Sequence, residues 1–336
     1  MATQAGNASK PALIDPHGRR IDYIRLSVTD KCNLRCFYCL PEGYKDFTEP
    51  SSWLSFDEIE RVIRAFADLG VRRVRITGGE PLVRKNLSAL VAQLNAIDTI
   101  DDLSLSTNAS LLRRDAPALK QAGIARINVS LDTLLGDRFA QITRNGQLAT
   151  VLDGLMAAKA AGLTPIKINM VVMKDVNDDE TEDMVLFCLE HGFTLRFIET
   201  MPMGDSGRSA SLQYLDLDIV RKHLAGRFDL IDSVMPGGGP ARYMNVKGTD
   251  LHIGFITPIS QHFCDTCNRV RLSADGTLYL CMGNEHSFAL RPLLREGISD
   301  DDLKHALLRA LALKPRQHDF NSQPGKIVRV MARLGG

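Results

Sequence analysis

The 336-residue sequence carries almost no net charge, because 41 Lys and Arg residues are balanced by 40 Asp and Glu residues to give +1. A nucleic-acid-binding protein normally has a basic excess, so no nucleic acid partner is expected. No apolar run is long enough to cross a bilayer, so no membrane partner is expected either. Internal repeats and low-complexity segments are also lacking. With 44% hydrophobic residues, the composition is typical of a globular protein with a sizeable core.

A disulfide framework is not expected, because the seven cysteines are odd in number and mostly clustered. Two tight groups of three are typical of metal ligands in a reducing compartment. The first ten residues lack the apolar core of a signal peptide and the arginines of a transit peptide. We therefore expect a cytoplasmic location. Cys188 lies alone on an apolar helical pattern and is predicted to be an inert core thiol.

The first cysteine group is Cys32, Cys36 and Cys39, spaced C-x3-C-x2-C. Three thiolates can hold three irons of a four-iron cluster and leave the last iron open to a small molecule. A structural zinc site normally has four protein ligands, so zinc is the less favoured alternative. Tyr38 directly precedes the third cysteine, as an aromatic residue does in loops that bind S-adenosylmethionine (SAM) at such an iron. The loop resembles the radical SAM signature.

The second cysteine group is Cys264, Cys267 and Cys281, spaced C-x2-C-x13-C. A predicted hairpin turn at residues 274–276 would fold Cys281 back against the other two. Three thiols without an evident fourth again favour an iron–sulfur cluster. A zinc site completed by His262 or His286 is the alternative.

Short apolar runs alternate with helical patterns in the first two thirds of the chain. The predicted strands are residues 23–28, 74–77, 102–106, 126–130, 166–172 and 194–198. The helical patterns between them end at glycines, which is typical of βα units around a parallel sheet. Six such units predict an α/β fold, a partial (β/α)6 TIM-like barrel of the radical SAM type that is open on one side.

The predicted domain organisation has three parts. Residues 1–18 are expected to be a flexible N-terminus, and residues 19–210 to form the partial barrel with the first cluster. Residues 211–336 are expected to form a β-rich C-terminal iron–sulfur extension with the second cluster and the Gly335-Gly336 tail. The stretch 201–211 reads as a loop.

Ligand-type residues follow the predicted strands. In parallel barrels, functional groups gather at the carboxyl ends of the strands. The turn at Gly79, the ends at Thr107 and Ser130, Lys167 with Asn169 in the fifth strand, and Met201 all fit that rule.

Four arginines suit an anionic ligand. Alternation along a strand places Arg269 and Arg271 on one face. Arg25 and Arg75 are expected to point into the same cavity, where guanidinium groups would bind a nucleotide.

Together, the two cysteine groups, the Gly-Gly-Glu-Pro turn and the double-glycine end resemble the GTP 3′,8-cyclase family of molybdenum cofactor biosynthesis. The resemblance implies that the six clustered cysteines hold two [4Fe–4S] clusters, and that Tyr38, Gly79, Ser130 and Met201 contact SAM. It further implies GTP contacts by Arg25, Arg75, Thr107, Lys167 and the run Arg269-Val270-Arg271. It also implies catalytic roles for Arg25, Arg269, Arg271, Gly335 and Gly336.

The implied activity is that of a lyase. SAM would be cleaved to methionine and a 5′-deoxyadenosyl radical, which removes hydrogen from C3′ of GTP. The product would be (8S)-3′,8-cyclo-7,8-dihydroguanosine 5′-triphosphate, the first step of molybdopterin synthesis. Implied partners are an electron donor such as flavodoxin or ferredoxin, the next enzyme, cyclic pyranopterin monophosphate synthase, and a second copy in a homodimer.

Two other functions compete with this interpretation. A radical SAM peptide-modifying enzyme with an auxiliary cluster would generally carry more cysteines in its C-terminal half. A non-catalytic iron–sulfur or zinc scaffold would not need ligand-type residues at six strand ends.

Overall fold

The computed structural model describes residues 12–335, and the predicted catalytic Gly336 lies outside the described residues. Within this range the twelve strands form one sheet in the order β12-β11-β10-β1-β2-β3-β4-β5-β6-β9-β8-β7. The strands are β1 (Tyr23–Ser27), β2 (Arg73–Thr77), β3 (Asp102–Thr107), β4 (Arg126–Ser130), β5 (Ile166–Val171), β6 (Thr194–Ile198), β7 (Leu230–Ser233), β8 (Arg242–Val246), β9 (His252–Ile256), β10 (Arg269–Leu272), β11 (Thr277–Tyr279) and β12 (Ser287–Ala289).

Helices connect the strands and pack against their neighbours. They are α1 (Phe56–Asp68), α2 (Leu87–Asn95), α3 (Leu112–Ala122), α4 (Gly136–Thr143), α5 (Leu148–Ala160), α6 (Thr181–His191), α7 (Gly204–Ala210), α8 (Leu217–Ala225), α9 (Arg291–Arg295), α10 (Asp300–Leu311) and α11 (Met331–Leu334). Local signals explain several ends. Ser55 and Glu58 form a capping box at the start of α1, and Gly123 ends α3 in the left-handed region.

The partial barrel is confirmed, with β1 to β6 matching the six predicted strands to within one residue at either end. Strands β1 to β6 are parallel and pair in sequence order. Their apolar side chains are almost fully buried in a single large core with the helices. This arrangement brings the carboxyl ends of the six strands to one mouth.

The C-terminal strands extend this sheet rather than forming a separate β-rich layer. β10 pairs in parallel with β1, and β9 pairs in parallel with β6. The parallel part of the sheet therefore has eight strands, two of them contributed by the segment that carries the second cysteine group. One sheet contains strands from both sides of the predicted domain boundary at residue 210. That boundary stays a prediction.

One local expectation was wrong. Residues 204–210, expected to be a loop, form the short helix α7. Of the terminus expected to be flexible, residues 12–18 are described: Leu13 is buried, and a buried ion pair of 2.6 Å joins Asp15 to Arg19. The flexibility of residues 1–18 stays a prediction. Residues 1–11 lie outside the described part of the chain. Among the helices of the described residues, none is long and apolar enough to cross a membrane.

Candidate active site

The first cysteine group lies on the loop that follows β1, at the mouth of the barrel. Two backbone hydrogen bonds fix the loop to the end of α4. The amides of Arg35 and Phe37 donate to the carbonyl oxygens of Thr143 and Ile142 at 3.0 and 3.1 Å. Asn108, at the end of β3, places its amide nitrogen 3.8 Å from Cys32 Sγ. The three cysteines are free thiols, and the fold holds them together without a disulfide.

The three cysteines of this group are half-buried. Burial raises the pKa of Cys32 to about 11, with a further contribution from Glu80. Burial, the neighbouring Cys39 and Asp132 raise the pKa of Cys36 well above its usual value. Each thiol therefore needs a metal to stabilise its thiolate, and metal binding would release protons. In the described residues, no three ligand side chains are close enough to enclose a single ion. A cluster does not require that, because each thiolate would bind a different iron.

The predicted SAM contacts surround this loop. Tyr38 donates its hydroxyl to Asp132 Oδ2 at 2.7 Å, and burial raises the pKa of Asp132 to about 6. Gly79 packs so closely that a Cβ there would lie 2.5 Å from the carbonyl oxygen of Lys31. Only glycine therefore lets this turn approach the cysteine loop.

Thr107 and Glu80 form a hydrogen-bonded pair beside the same loop. Thr107 Oγ1 donates to Glu80 Oε1 at 2.7 Å, and the amide of Asn108 donates to Glu80 Oε2 at 2.6 Å. Burial raises the pKa of Glu80 to about 7. Thr107 does not line the main cavity described next, so its predicted GTP contact stays a prediction.

All three thiols of the second cysteine group face a cavity inside the barrel mouth. Its empty volume is about 1020 Å³, including the part open to solvent, and residues of β1, β6, β9 and β10 line it. The predicted hairpin between β10 and β11 is present and brings Cys281 to Cys264 and Cys267. The alternative zinc ligands, His262 and His286, do not line the cavity.

Five arginines line the same cavity: Arg25, Arg75, Arg196, Arg269 and Arg271. Within residues 12–335, none of them forms an ion pair with a carboxylate. Burial lowers the pKa of Arg75 to about 9, with smaller contributions from Arg25 and Arg196. Burial likewise lowers the pKa of Arg271 well below its usual value. Buried cations without a counter-charge are costly, so the cavity is built for an anionic ligand.

Unpartnered polar atoms support that conclusion. Arg196 Nε, Arg269 Nε and Asn169 Oδ1 are buried and have no hydrogen-bond partner among the described residues. Buried polar groups are almost always satisfied. A nucleotide would offer phosphate and ribose oxygens to the donors and ring N–H groups to the acceptor. The residues present therefore fit a nucleotide beside a cysteine-bound cluster.

The C-terminal tail, residues 331–335, also reaches the cavity. The carbonyl oxygens of Leu334 and Gly335 accept hydrogen bonds from Arg271 at 3.2 and 2.6 Å. Leu334 and Met331 belong to a small apolar cluster that packs against Cys39, Met201 and Met282. The tail thus lies between the first cysteine loop and the cavity.

The structure brings most predicted site residues together. Arg25, Arg75, Met201, the run 269–271 and the second cysteine group share the cavity. Ser130 is exposed at the end of β4, in register with the cavity residue Asn169. Lys167 does not line the cavity, since its ammonium lies 3.3 Å from Met235 Sδ and over the Tyr243 ring. Its role, like those of Tyr38, Gly79, Ser130 and Thr107, stays a prediction.

Sequence reasoning missed Arg196. It lies in β6, is almost fully buried, and donates to Asn128 Oδ1. The available signal was a single arginine inside the otherwise apolar run Thr194–Ile198, at an alternating position that faces the barrel interior.

The chain matches two protein families. Residues 26–188 match the radical SAM superfamily, and residues 193–320 match the family described as Molybdenum Cofactor Synthesis C. A protein of Hydrogenovibrio crunogenus named GTP 3′,8-cyclase is 50% identical over 332 residues, 97% of this chain and 100% of that protein. A Pseudomonas aeruginosa protein named GTP 3′,8-cyclase 2 is 46% identical over 331 residues, 98% of this chain and 100% of that protein.

Solved structures share the fold at low identity. Streptococcus suis SuiB bound to S-adenosylmethionine superposes with a TM-score of 0.58 at 15% identity, covering 87% of this chain and 69% of that one. This likeness concerns the fold alone. The near-complete match to the cyclases, by contrast, confirms the resemblance read from the two cysteine groups, and the chain belongs to the GTP 3′,8-cyclase family within the radical SAM superfamily.

Proposed function

We propose that this chain converts GTP to (8S)-3′,8-cyclo-7,8-dihydroguanosine 5′-triphosphate, with cleavage of SAM, as the first step of molybdenum cofactor biosynthesis. The observation that carries the proposal is the cavity in which five arginines, none in an ion pair among residues 12–335, meet three cysteines. A triphosphate supplies the missing negative charge, and the open iron of a cluster held by Cys264, Cys267 and Cys281 supplies a contact for the base.

Cys32, Cys36 and Cys39 would hold the other cluster. When bound, that reduced cluster supplies the electron that splits SAM and so provides the hydrogen-abstracting group. The residues proposed for SAM are Tyr38, Gly79, Ser130 and Met201. Tyr38 is fixed by Asp132, and Met201 contacts both the cavity and the apolar cluster of the tail.

The arginines orient the substrate. Arg25, Arg75, Arg269 and Arg271 are proposed to bind GTP and to turn its ribose toward SAM, since orientation is the protein's main contribution to such chemistry. Val270 lies between the two arginines of β10, packs in the core and lines the cavity, and it is proposed to contact GTP with them. Thr107 and Lys167 are proposed to approach the nucleotide from the side of β3 and β5.

The tail excludes water. Gly335 and Gly336 are proposed to cover the reacting groups, because Gly335 is already bound by Arg271 at the cavity edge. A closed site protects a reactive species from solvent.

The remaining partners follow from this activity. A flavodoxin or ferredoxin would reduce the clusters, and cyclic pyranopterin monophosphate synthase would take the product. The protein is proposed to act as a cytoplasmic homodimer, and seven free thiols suit that reducing compartment.

The test is anaerobic turnover of reconstituted protein with SAM, a reductant and GTP, with Cys188→Ala as the control. We expect the unaltered protein and Cys188→Ala to form both 5′-deoxyadenosine and a cyclised guanine nucleotide. Cys36→Ala should form neither, and Cys281→Ala should form no nucleotide product. If fully loaded unaltered protein cleaved SAM but left GTP unchanged, the assigned substrate would be wrong.

A further inference from the structure

A buried lysine lies against the second cysteine group. Lys314 is only 3% exposed, and its Nζ lies 3.6 Å from Cys267 Sγ. The same ammonium donates to the carbonyl oxygens of Arg269 at 3.0 Å and Leu280 at 2.5 Å. Its three donors are thus all engaged, and no carboxylate pairs with it among the described residues.

These acceptors lie close in sequence to two of the cysteines. Arg269 begins β10, two residues after Cys267, and Leu280 directly precedes Cys281. Lys314 therefore joins the two ends of the cysteine hairpin and brings a positive charge to one ligand sulfur. An exposed lysine is rarely fixed in one conformation, because fixing it costs side-chain entropy and an exposed ion pair returns little free energy.

A second network fixes the backbone that carries the lysine. Arg19 donates to the carbonyl oxygens of Pro315 and Arg316 at 2.7 and 2.6 Å, and to that of Cys264 at 2.8 Å. His17 Nε2 contacts the carbonyl oxygen of Lys314 at 3.1 Å. Arg19 thereby connects the backbone of residues 314–316 to Cys264, the remaining cysteine of the group. Lys314 has little freedom to turn away from the sulfur.

We propose that Lys314 is a positioning residue that compensates the charge of the second iron–sulfur cluster through Cys267 Sγ and so makes that cluster easier to reduce. The argument rests on the proposed function in one respect, that the second group holds a cluster. Hydrogen bonds and nearby charge at ligand sulfurs set the reduction potentials of such clusters. A cation stabilises the state with more negative charge, which is the reduced one.

The experiment is a potentiometric titration of the holoenzyme followed by electron paramagnetic resonance (EPR). The signal that changes when GTP is added reports the second cluster. Iron and sulfide are first counted in the unaltered protein, so that a missing second cluster would refute the proposed function without reference to Lys314. The variants are Lys314→Met, Lys314→Gln and Lys314→Arg. The control is Lys304→Met, which removes a charge that pairs with Asp301 and Asp68.

We expect Lys314→Met and Lys314→Gln to shift the midpoint potential of the second cluster to more negative values. Lys314→Arg should keep most of the original potential, and Lys304→Met should not change it. Failure of the two uncharged variants to load the second cluster, with normal loading of Lys314→Arg, would also support the charge role. An unchanged potential in loaded Lys314→Met would overturn the proposal. Loss of loading in all three variants would overturn it too, because the site would then need the shape of lysine rather than its charge.

Discussion

At the scale of single residues, the cavity combines groups that would be unfavourable without a ligand. Arg75, Arg196 and Arg271 are each less than a tenth exposed, and Arg269 is held at the same surface. A protein without an anionic substrate gains nothing from such a group of cations, since each costs free energy of desolvation. Binding function and stability are therefore expected to oppose each other at these positions.

Arg196 gives a direct test of that opposition. We expect Arg196→Met to weaken GTP binding at least tenfold, because a charge-assisted hydrogen bond contributes roughly 1.5–3 kcal/mol. The thermal midpoint of the protein without GTP should not fall, because removing a buried cation without a counter-charge offsets the loss of its hydrogen bond to Asn128 Oδ1. Calorimetric GTP binding and thermal unfolding measure the two effects.

The control for Arg196 is Arg113→Met, at an exposed arginine paired with Asp153 on the outer helices. It should change neither quantity. A tightly binding Arg196→Met variant would show that this arginine does not contact the nucleotide.

The lowered pKa of Lys167 predicts that GTP binding depends on pH. Burial and the nearby Arg196 and Arg126 lower its pKa to about 7 in the protein without GTP. If Lys167 contacts GTP as proposed, the charged form, which predominates below that pKa, is the one that would attract the nucleotide. Bound GTP would raise the pKa, so affinity should be full below about pH 7 and should fall as pH rises above it.

Binding of GTP should therefore take up a proton near pH 8, which calorimetry in buffers of different ionisation enthalpy can detect. Lys167→Met should remove this uptake and flatten the affinity profile, while the titration of GTP itself remains. Equal proton uptake in both proteins would exclude Lys167 from the nucleotide site.

At the scale of elements, one buried carboxylate connects the end of β6 to the second cysteine loop. Glu199 is fully buried and accepts hydrogen bonds from the amides of Ile259 and Ser260 at 2.8 and 3.2 Å. It also accepts from the hydroxyls of Ser260 and Tyr214. The loop between β9 and Cys264 is thus fixed to the strand that leads to Met201.

We expect Glu199→Gln to loosen this loop, because an amide NH2 replaces one acceptor oxygen and leaves a donor facing donors. The cost is about 1–3 kcal/mol, seen as a lower thermal midpoint. A chelator should then remove iron from the second cluster faster than in the unaltered protein, while the first cluster stays intact. Tyr214→Phe, which deletes only one of the four bonds, should have a smaller effect. Equal rates of iron loss from both clusters would refute this local role.

Elements also show how far the sequence predicts the structure. The six barrel strands could be read locally, because each is a short apolar run followed by a polar turn, and β2, β4, β5 and β6 each follow a glycine that ends a helix. The helices α2 and α4 could not be read in this way, since their C-cap residues are Ala96 and Arg144 rather than glycines. The pairing of β9 with β6 and of β10 with β1 could not be predicted, because it joins segments far apart in the chain.

The site shows the same division. The cysteine groups were recognised from spacing alone, and the alternation of β10 correctly placed Arg269 and Arg271 on one face. Arg196 and Lys314 gave no comparable signal, because a lone basic residue is usually solvated. Only the tertiary structure shows that both side chains are buried.

At the scale of the whole molecule, the C-terminal tail covers part of the barrel mouth, since Gly335 is hydrogen-bonded to Arg271 of the cavity. Gly335 has a φ of +67°, and a Cβ there would lie 2.1 Å from Thr77 Cγ2 at the end of β2. The tail is further held by an ion pair of 2.9 Å between Arg333 and Asp46. A side chain at residue 335 would therefore displace the tail from Arg271.

We expect Gly335→Ala, or removal of Gly335 and Gly336, to leave both clusters loaded but to lower formation of the cyclised nucleotide more than tenfold. Gly325→Ala is the matched control, because a Cβ at this exposed glycine meets no atom within 4 Å. Iron content and product yield, measured on the same samples, separate loss of chemistry from loss of cofactor. Normal product formation by the truncated chain would show that the tail has no part in the reaction.

The central claim is that this molecule directs SAM-derived chemistry at C3′ of GTP. The most direct test is anaerobic incubation of the fully loaded protein with SAM, a reductant and GTP deuterated at C3′. We predict that deuterium appears in 5′-deoxyadenosine and that a cyclised guanine nucleotide accumulates with it. Formation of 5′-deoxyadenosine without deuterium would contradict the assigned substrate position, and no cleavage of SAM by loaded protein would contradict the assigned chemistry.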